Sequence, residues 1–270
     1  MTAPLNCATL ETMSWPGGKA QAGVYQTLIN QIPPHDCYIA PFAGDDAIAR
    51  RKIPSRSTVL IDRDSEALTL WRDAPIPGIE LHQTCGITWL KYRYGLFRLE
   101  GSPHDVAGTQ ALAAESAGEV LRDPATHVAA SRLSRYRDFV FCDPPYLMAT
   151  RTSGPMYRFE MTDDDHLDLV ETLKRLPVAT MICGYWSEMY ADALRDWRVV
   201  EYRSVARSGD VRQEFAWCNF EEPDELHDYR YLGHDKRERE RIRRRVKNWR
   251  DGLSKMPDLE RQAIMRELQS

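Results

Sequence analysis

The chain has 270 residues, of which 43% are hydrophobic and 28% are charged. This length and composition are typical of a globular protein with a sizeable buried core and room for a smaller appended unit. The formal net charge is −4 at pH 7, which excludes a uniformly basic protein that binds nucleic acid over its whole surface.

The cysteines and the N-terminal segment indicate an intracellular protein. No two of the six cysteines have the C-x-x-C spacing of a zinc or redox motif, so the sequence predicts reduced thiols and no metal site. Residues 1–15 lack the basic start and the apolar centre of a signal peptide. No apolar run approaches the roughly 20 residues that a membrane helix requires. We therefore expect a cytoplasmic protein without a membrane partner.

The first part of the chain has the pattern of a βαβ unit. Apolar residues at helical spacing predict a helix over 20–32, which ends before Pro33. Short apolar runs predict buried strands over 37–42 and 58–64, with a helical segment over 46–52 between them. A strand, a helix and a second strand in this order imply a parallel sheet.

Residues 66–137 interrupt this alternation. They contain the segments APIPG and GSPHD and an alanine-rich stretch, which together predict a small, mostly helical insertion. The further predicted strands are 138–146, 178–185, 198–206 and 214–220, and the predicted helices between them are 162–176, with Thr162 as its N-cap, and 186–197. The whole pattern predicts an α/β fold with a doubly wound, Rossmann-like sheet formed by residues 10–65 and 138–221.

The last segment, 222–270, differs from the rest of the chain in charge. Residues 236–250 carry nine basic side chains and two glutamates, a local net charge of +7 on a chain whose overall charge is −4. We predict a basic helix here, followed by a second helix near the C-terminus.

The segment Asp143-Pro144-Pro145-Tyr146 is the strongest chemical signal in the sequence. It follows an apolar run, and open α/β sheets bind their ligands at the carboxyl ends of strands. The Asp143 carboxylate and the Pro144 carbonyl are two acceptors, because Pro145 has no N–H to engage that carbonyl. Acceptors of this kind, set against the amino hydrogens of adenine, would localise the lone pair of a poorly nucleophilic nitrogen. Tyr146 offers a face on which an extruded base stacks. The same four residues are also typical of a rigid turn.

A glycine loop and an acid precede this motif. Pro41-Phe42-Ala43-Gly44 ends a predicted strand and opens a helix, and Asp62 follows the next strand, where a carboxylate binds a pair of ribose hydroxyls. Asp45 and Asp46 follow Gly44 where a dinucleotide loop would have a second glycine. The loop therefore disfavours a pyrophosphate and suits a phosphate-free ligand such as S-adenosylmethionine.

A further glycine segment, Trp15-Pro16-Gly17-Gly18-Lys19, lies upstream. It lacks the spacing of a phosphate-binding loop and is typical of an ordinary glycine turn. It would also let the backbone approach a ligand closely, with Lys19 available to a carboxylate.

Together and in this order, the three motifs resemble the Dam-like DNA adenine-N6 methyltransferases of the alpha-order class. In that family an aromatic-x-Gly-Gly-Lys segment precedes a Pro-Phe-x-Gly-x-Gly loop, an acid after the next strand, a target-recognition insertion and Asp-Pro-Pro-Tyr. The resemblance covers about residues 13–221 and includes the segment 204–220. It implies a methyltransferase sheet, S-adenosylmethionine as cofactor, and methyl transfer to the N6 of a flipped adenine in double-stranded DNA.

The resemblance also implies a role for each matching residue. The implied catalytic residues are Asp143, Pro144 and Tyr146. The implied cofactor-binding residues are Trp15, Lys19, Pro41, Phe42, Gly44, Asp62 and Asp143. The chain departs from the family at Asp46, which stands at the second loop glycine and would either meet the methionine ammonium or narrow and weaken the pocket. The insertion, 66–137, is short, so target specificity is either relaxed or shared with the tail.

Basic side chains in two segments are candidates for DNA contacts. Lys91, Arg93 and Arg98 stand among aromatic residues, in a segment that also fits a helix with a solvated basic face. Arg241, Arg244 and Arg245 belong to the +7 segment, whose charge favours phosphate binding over a merely solvated helix. Weaker candidates in loops near the expected site are Arg151, Arg158 and Arg207.

Two other functions fit the same sequence. One is methylation of an amino group on cytosine or on a base in RNA, since only the family resemblance of Asp143 favours adenine. The other is a catalytically weak DNA-binding protein, in which the loop with Asp46 has lost its cofactor while the basic tail remains active.

Overall fold

The structure, a computed structural model, describes residues 19–97, 137–205 and 209–268. A seven-stranded sheet forms the centre of the described part of the chain. Its strands are β1 (Cys37–Ala40), β2 (Ser57–Asp62), β3 (Ile79–Gln83), β4 (Asp138–Cys142), β5 (Ala179–Gly184), β6 (Arg198–Val205) and β7 (Val211–Cys218). The helices are α1 (Val24–Ile29), α2 (Ala47–Arg51), α3 (Ser65–Thr69), α4 (Gly86–Arg93), α5 (Asp163–Lys174), α6 (Glu188–Ala193), α7 (Lys236–Ser254) and α8 (Asp258–Glu267).

The strand order is β3-β2-β1-β4-β5-β7-β6. β1 to β5 run parallel, whereas β7 is antiparallel to both β5 and β6. The order reverses between β1 and β4, so the loops that follow these two strands open a crevice at their carboxyl ends. This arrangement confirms the predicted α/β fold with a doubly wound, Rossmann-like sheet.

The central strands are buried on both faces, which explains their continuous apolar sequences. Successive residues of a strand point to opposite faces, and two core clusters result. On one face Tyr38 and Phe141 pack with Leu28 of α1. On the other face Ile39 and Val140 pack with residues of α5. α5 begins with a capping box, in which the Thr162 side chain accepts a hydrogen bond from the N–H of Asp165, so the predicted N-cap is confirmed.

The described part of the 66–137 segment contributes to the sheet, where the sequence predicted a mostly helical insertion. β3 pairs with β2, and α4 packs against α5. Only half-buried or exposed residues form β3, because it is the edge strand, and this explains the lack of a clear apolar pattern. Residues 98–136, with the alanine-rich stretch, lie outside the described residues.

The tail has two parts. Its first residues pack on the sheet domain, since the fully buried Asp228 accepts a hydrogen bond from the N–H of Ile53 and Tyr25 contacts Tyr231 edge to face. α7 and α8 then follow as the two predicted tail helices, and neither has a buried residue. No helix of the described ranges combines the length and the hydropathy needed to cross a lipid bilayer.

Candidate active site

A cavity opens at the carboxyl ends of β1, β2 and β4. Six of the seven sequence-predicted cofactor residues line it, and the seventh, Trp15, lies outside the described residues. The six are Lys19, Pro41, Phe42, Gly44, Asp62 and Asp143. Three of the four segments lie at the carboxyl ends of parallel strands, which end at the same edge of the sheet, and Lys19, which precedes α1, joins them there.

The loop after β1 is fixed by hydrogen bonds from neighbouring segments. The N–H of Gly44 donates to Asp62 Oδ2 over 2.9 Å, and Trp71 Nε1 donates to the Gly44 carbonyl over 2.8 Å. Gly44 has a φ of +42°, in the left-handed region that favours glycine. A glycine is therefore required at this point, and the chain holds the loop in shape through its own contacts.

Asp62 lies at the end of β2 in the cavity wall. Its Oδ1 accepts from the N–H of Asp64 over 2.8 Å, so both carboxylate oxygens are oriented by backbone donors. Burial raises the pKa of Asp62 above its ordinary value, although these two N–H groups oppose that effect. Each carboxylate oxygen can accept a second hydrogen bond, which leaves capacity for a hydroxyl of a ligand in the cavity.

Asp46, the residue that departs from the family pattern, is the N-cap of α2. Its Oδ1 accepts from the N–H groups of Ile48 and Ala49 over 2.7 and 3.1 Å, and its Oδ2 accepts from the Tyr38 hydroxyl over 2.7 Å. Burial raises the pKa of Asp46 to about 6. Asp46 also lines the cavity, but its hydrogen bonds in the structure serve the helix and strand behind the loop.

The cavity is strongly acidic. Six of its lining residues are aspartates, against one lysine and one arginine. The aspartates are Asp45, Asp46, Asp62, Asp64, Asp143 and Asp165. Within the described residues no cluster of histidine, cysteine and acidic side chains is arranged to hold a metal ion. A cavity of this sign favours a cationic ligand over a phosphate.

Lys19 connects the cavity to the Asp-Pro-Pro-Tyr segment. Its Nζ donates to Asp143 Oδ1 over 2.8 Å and to the Tyr146 hydroxyl over 2.5 Å, and it lies 3.2 Å from Glu214 Oε2. The Lys19 side chain is only 3% exposed. Two of the three predicted catalytic residues, Asp143 and Tyr146, are thus joined through one buried ammonium group. The third, Pro144, is also buried.

Glu214, on β7, completes this network, although it belongs to none of the motifs found in the sequence. Its Oε2 accepts from the hydroxyls of Tyr146 and Tyr202 over 2.6 and 3.1 Å, and its Oε1 accepts from the Ser204 hydroxyl. Glu214 shares a strand face with the buried Ala216 and Cys218. An acidic residue in register with buried apolar positions is a signal that the sequence contained.

Burial and charge act in opposite directions on these groups. Burial disfavours the ammonium form of Lys19, but the carboxylates of Asp143 and Glu214 outweigh it and raise the pKa of Lys19. Burial raises the pKa of Asp143 even though Lys19 opposes that effect. For Glu214, Lys19 and the hydroxyl donors outweigh burial and lower the pKa. Burial therefore has the larger effect at Asp143, whereas Lys19 and the hydroxyl donors have the larger effect at Glu214.

A loop after β4 forms part of the cavity wall and contains Arg151 and Arg158, two of the weaker candidates for DNA contacts. Arg151 forms two hydrogen bonds to Glu160, at 3.0 and 2.8 Å, and Glu160 also accepts from the N–H of Tyr157. Arg158 lies 3.5 Å from Asp64. Tyr157 and other residues of this loop line the cavity. Both arginines therefore stabilise the loop, and Arg207 lies outside the described residues.

The candidate DNA-contacting residues of α4 are paired with acids. Lys91 bonds Asp168 over 2.5 Å, and Arg93 bonds Asp138 over 2.9 Å. Asp138 begins β4, so Arg93 lies at the opposite end of that strand from Asp143. A role of Lys91 and Arg93 in DNA binding stays a prediction, and Arg98 lies outside the described residues.

The candidate residues of the tail lie on the exposed helix α7. Arg241 pairs with Glu238 over 3.1 Å, whereas Arg244 and Arg245 are exposed. Their contact with phosphates likewise stays a prediction.

Comparison with known proteins gives matches among solved structures alone, since no protein family and no curated protein matches the chain. A putative methyltransferase from Streptococcus mutans in complex with SAH is 13% identical, with a TM-score of 0.37 over 72% of this chain and 94% of that one. Human methyltransferase-like protein 13 in complex with SAH is 11% identical, with a TM-score of 0.40 over 82% and 87%. An rRNA methylase from Streptococcus thermophilus is 13% identical, with a TM-score of 0.36 over 72% and 92%. At these values no family, activity or substrate follows for this chain.

Proposed function

We propose that this chain is an S-adenosylmethionine-dependent methyltransferase that methylates the exocyclic N6 of an adenine flipped out of double-stranded DNA. The observation that carries the proposal is the position of Asp143. It follows β4 directly and lines the same cavity as Asp62 and the loop 41–44. An acceptor for an amino group therefore stands beside a cavity suited to a nucleoside.

The charge of the cavity supports S-adenosylmethionine as the ligand. That molecule carries a sulfonium and an ammonium against one carboxylate, and it has no phosphate. Six aspartates in the lining favour such a net cation. Two backbone N–H groups orient Asp62. Asp62 would bind the ribose hydroxyls of this cofactor, and the loop 41–44 would form the cavity wall beside it.

The Asp-Pro-Pro-Tyr segment would bind the target base. Asp143 and the Pro144 carbonyl accept the two amino hydrogens of adenine, and Tyr146 stacks on the base, a contact worth about 1–3 kcal/mol. The nitrogen lone pair then attacks the methyl carbon, the carbon–sulfur bond breaks, and its electrons stay on sulfur. The methylated amine loses one proton to solvent. The part of Lys19 is to orient Asp143 and Tyr146, since its ammonium already contacts both.

The tail would supply the phosphate contacts that hold a distorted duplex. Flipping a base costs a few kcal/mol, which contacts to the backbone help to offset. Lys91 and Arg93 are occupied by acidic partners, whereas Arg244 and Arg245 are exposed within a segment of net charge +7. We therefore assign the larger share of DNA binding to α7.

The alternatives are affected differently by the site. Asp46 was the residue that favoured a decayed cofactor loop. Because Asp46 caps α2, its presence is explained by helix stability and does not require loss of the cofactor. The rival function, a catalytically weak DNA-binding protein with a decayed cofactor loop, thereby loses its main support. Methylation of cytosine or of a base in RNA remains the second candidate, because two acceptors beside an aromatic ring fit any exocyclic amine.

The replacement Asp143→Asn tests the proposal. Asparagine keeps the size of the side chain but presents a donor to the amino group, so we expect methyl transfer from labelled S-adenosylmethionine to DNA to fall on the order of 10²-fold or more. Because Asp143 also lines the cofactor cavity, calorimetry measures any loss of cofactor binding separately, and transfer at saturating S-adenosylmethionine should still fall. The exposed Asp164 provides the matched control, Asp164→Asn. Undiminished transfer by Asp143→Asn, or a wild-type protein that does not bind S-adenosylmethionine, would refute the proposal.

A further inference from the structure

Glu214 is a buried carboxylate at the centre of the hydroxyl and ammonium groups that surround the Asp-Pro-Pro-Tyr segment. Its side chain is 7% exposed and lies on the antiparallel strand β7, far in sequence from the segments that line the cavity. Burying a carboxylate is costly unless it is paired and hydrogen-bonded. The hydroxyls of Tyr146, Tyr202 and Ser204 and the ammonium group of Lys19 stabilise this buried carboxylate.

The groups that face this carboxylate come from every neighbouring element. Lys19 precedes α1, Tyr146 and Asp143 follow β4, and Tyr202 and Ser204 belong to β6. Cys183 of β5 lies close to the same network, as does Tyr185, whose ring contacts that of Tyr146 edge to face. Among the described cavity-lining residues Glu214 is not present, so it acts on a bound molecule only through its neighbours.

The hydrogen bonds of Tyr146 have a direction. The Lys19 ammonium can only donate, so the Tyr146 hydroxyl accepts from Lys19 over 2.5 Å and donates its own proton to Glu214 over 2.6 Å. Without a carboxylate at position 214, that proton needs another acceptor, and Asp143, which bonds the same lysine and already interacts with the Tyr146 hydroxyl, offers one. Tyr146 would then compete with the substrate amine for Asp143.

We propose that Glu214 is a positioning residue, which fixes the Tyr146 hydroxyl and the Lys19 ammonium so that Asp143 stays free to accept the amino group of the target base. The inference rests on the proposed function, since it assigns Glu214 to the same site. It goes beyond that function because Glu214 is not among the described residues that line the cofactor cavity. The competing explanation is that Glu214 only stabilises the fold.

The replacement Glu214→Gln separates these two roles. Glutamine keeps the shape but replaces one acceptor by a donor, so the hydroxyl of Tyr146 and Lys19 lose a shared anchor. We expect kcat for methyl transfer to DNA to fall on the order of tenfold to 10²-fold, because small misplacements of reacting groups have effects of this size. The Kd for S-adenosylmethionine should change less than kcat, because Asp62 and the loop 41–44 are untouched and only Lys19, among the cavity-lining residues, loses a direct partner.

Asp228→Asn is the matched control. Asp228 is also a buried, ion-paired carboxylate, but its partners are Arg230 and the N–H of Ile53, which do not belong to the network. This variant should lose stability without losing kcat. Equal losses of kcat in Glu214→Gln and Asp228→Asn would overturn the positioning role in favour of a purely structural one.

A measurement that needs no substrate distinguishes failure of this inference from failure of the proposed function. In protein labelled at the tyrosine Cζ, the Tyr146 resonance, assigned with Tyr146→Phe, reports the hydrogen bonding of its hydroxyl. We expect it to shift in Glu214→Gln and not in Asp228→Asn. An unmoved resonance overturns the inference whatever the substrate is. A wild-type protein that methylates no DNA refutes the proposed function, and a shifted resonance would then still show that Glu214 positions the Tyr146 hydroxyl.

A second variant covers the case in which Glu214→Gln does not fold. Ser204→Ala removes one hydroxyl donor to Glu214 and leaves the ion pair with Lys19 in place. The carboxylate is then held less firmly, so we expect a several-fold loss of kcat and a smaller shift of the Tyr146 resonance. Wild-type values of both quantities in Ser204→Ala would also overturn the inference.

Discussion

The Asp46 side chain accepts hydrogen bonds from several donors, and a glycine at this position would leave those donors without an acceptor. It caps the first turn of α2 and accepts a hydrogen bond from the buried Tyr38 hydroxyl. Asp45, its neighbour, instead forms a half-exposed ion pair with Arg50. The two adjacent aspartates of the loop therefore contribute differently to stability, although the sequence alone does not distinguish them.

Asp46→Ala should destabilise the protein by about 1.5–5 kcal/mol. Loss of an N-cap costs roughly 0.5–2 kcal/mol, and an unpaired buried hydroxyl adds about 1–3 kcal/mol. Asp45→Ala is the control and should cost less than about 1 kcal/mol, as exposed ion pairs do. Urea unfolding of the two variants measures the difference, and equal losses would contradict the role given to Asp46.

The same variant should show a pH dependence of defined sign. Burial raises the pKa of Asp46 to about 6, so between its ordinary value and pH 6 the folded state binds more protons than the unfolded state. The contribution of Asp46 to stability therefore falls as the pH rises through this window. The cost of Asp46→Ala should be larger at pH 4.5 than at pH 7, and the opposite order would contradict the raised pKa.

At the level of elements, apolar runs predict β1, β2, β4 and β5 because both faces of these strands are buried. They do not predict β3, an edge strand with half-exposed residues, nor the insertion of β7 between β5 and β6, which depends on pairing between distant segments. The same limit applies to the site. Gly44, Asp62 and Asp143 each lie at or near the end of a strand predicted from the sequence, so their proximity could be predicted. The partners of Glu214 could not, because they depend on the order of the strands in the sheet.

The backbones of α4 and of the loop after β1 lie in close contact, which predicts that a side chain at Gly86 is unfavourable. A Cβ on Gly86, at the start of α4, would lie 2.0 Å from the Pro41 carbonyl oxygen, so the backbones touch where the cavity wall forms. Gly86→Ala should destabilise the protein by about 1–3 kcal/mol, as overpacking does, and should weaken the binding of S-adenosylmethionine.

Gly252 provides the control for this prediction. It lies within α7 and a Cβ there would meet nothing within 4 Å, so Gly252→Ala should be neutral or stabilise by up to about 1 kcal/mol. Thermal unfolding and calorimetry with S-adenosylmethionine compare the two variants. Unchanged cofactor binding in Gly86→Ala would contradict the place of Pro41 in the cavity wall.

On the scale of the whole molecule, charge is divided between two regions. Residues 236–250 carry +7 while the whole chain carries −4, and the cavity wall contains six aspartates. This division suits an enzyme whose cofactor is cationic and whose macromolecular substrate is a polyanion. The packed part of the tail ends before α7, since Asp228 and Tyr231 contact the sheet domain.

Removal of residues 236–270 should therefore weaken DNA binding and leave cofactor binding unchanged. Loss of several phosphate contacts predicts a fall in affinity of about tenfold or more at low salt and a shallower dependence on salt concentration. The triple variant Arg243→Gln, Arg244→Gln and Arg245→Gln keeps the helix and should reproduce part of the effect. Wild-type DNA affinity of the truncated protein at low salt would contradict the role of α7.

The central claim is that Asp143 directs a methyl group from S-adenosylmethionine to the N6 of adenine in DNA. Nucleoside mass spectrometry of double-stranded DNA, incubated with the protein and S-adenosylmethionine, tests it most directly. We predict N6-methyldeoxyadenosine with the wild-type protein and a loss on the order of 10²-fold with Asp143→Asn. DNA without methylated bases, or with methyl groups on cytosine alone, would contradict the claim.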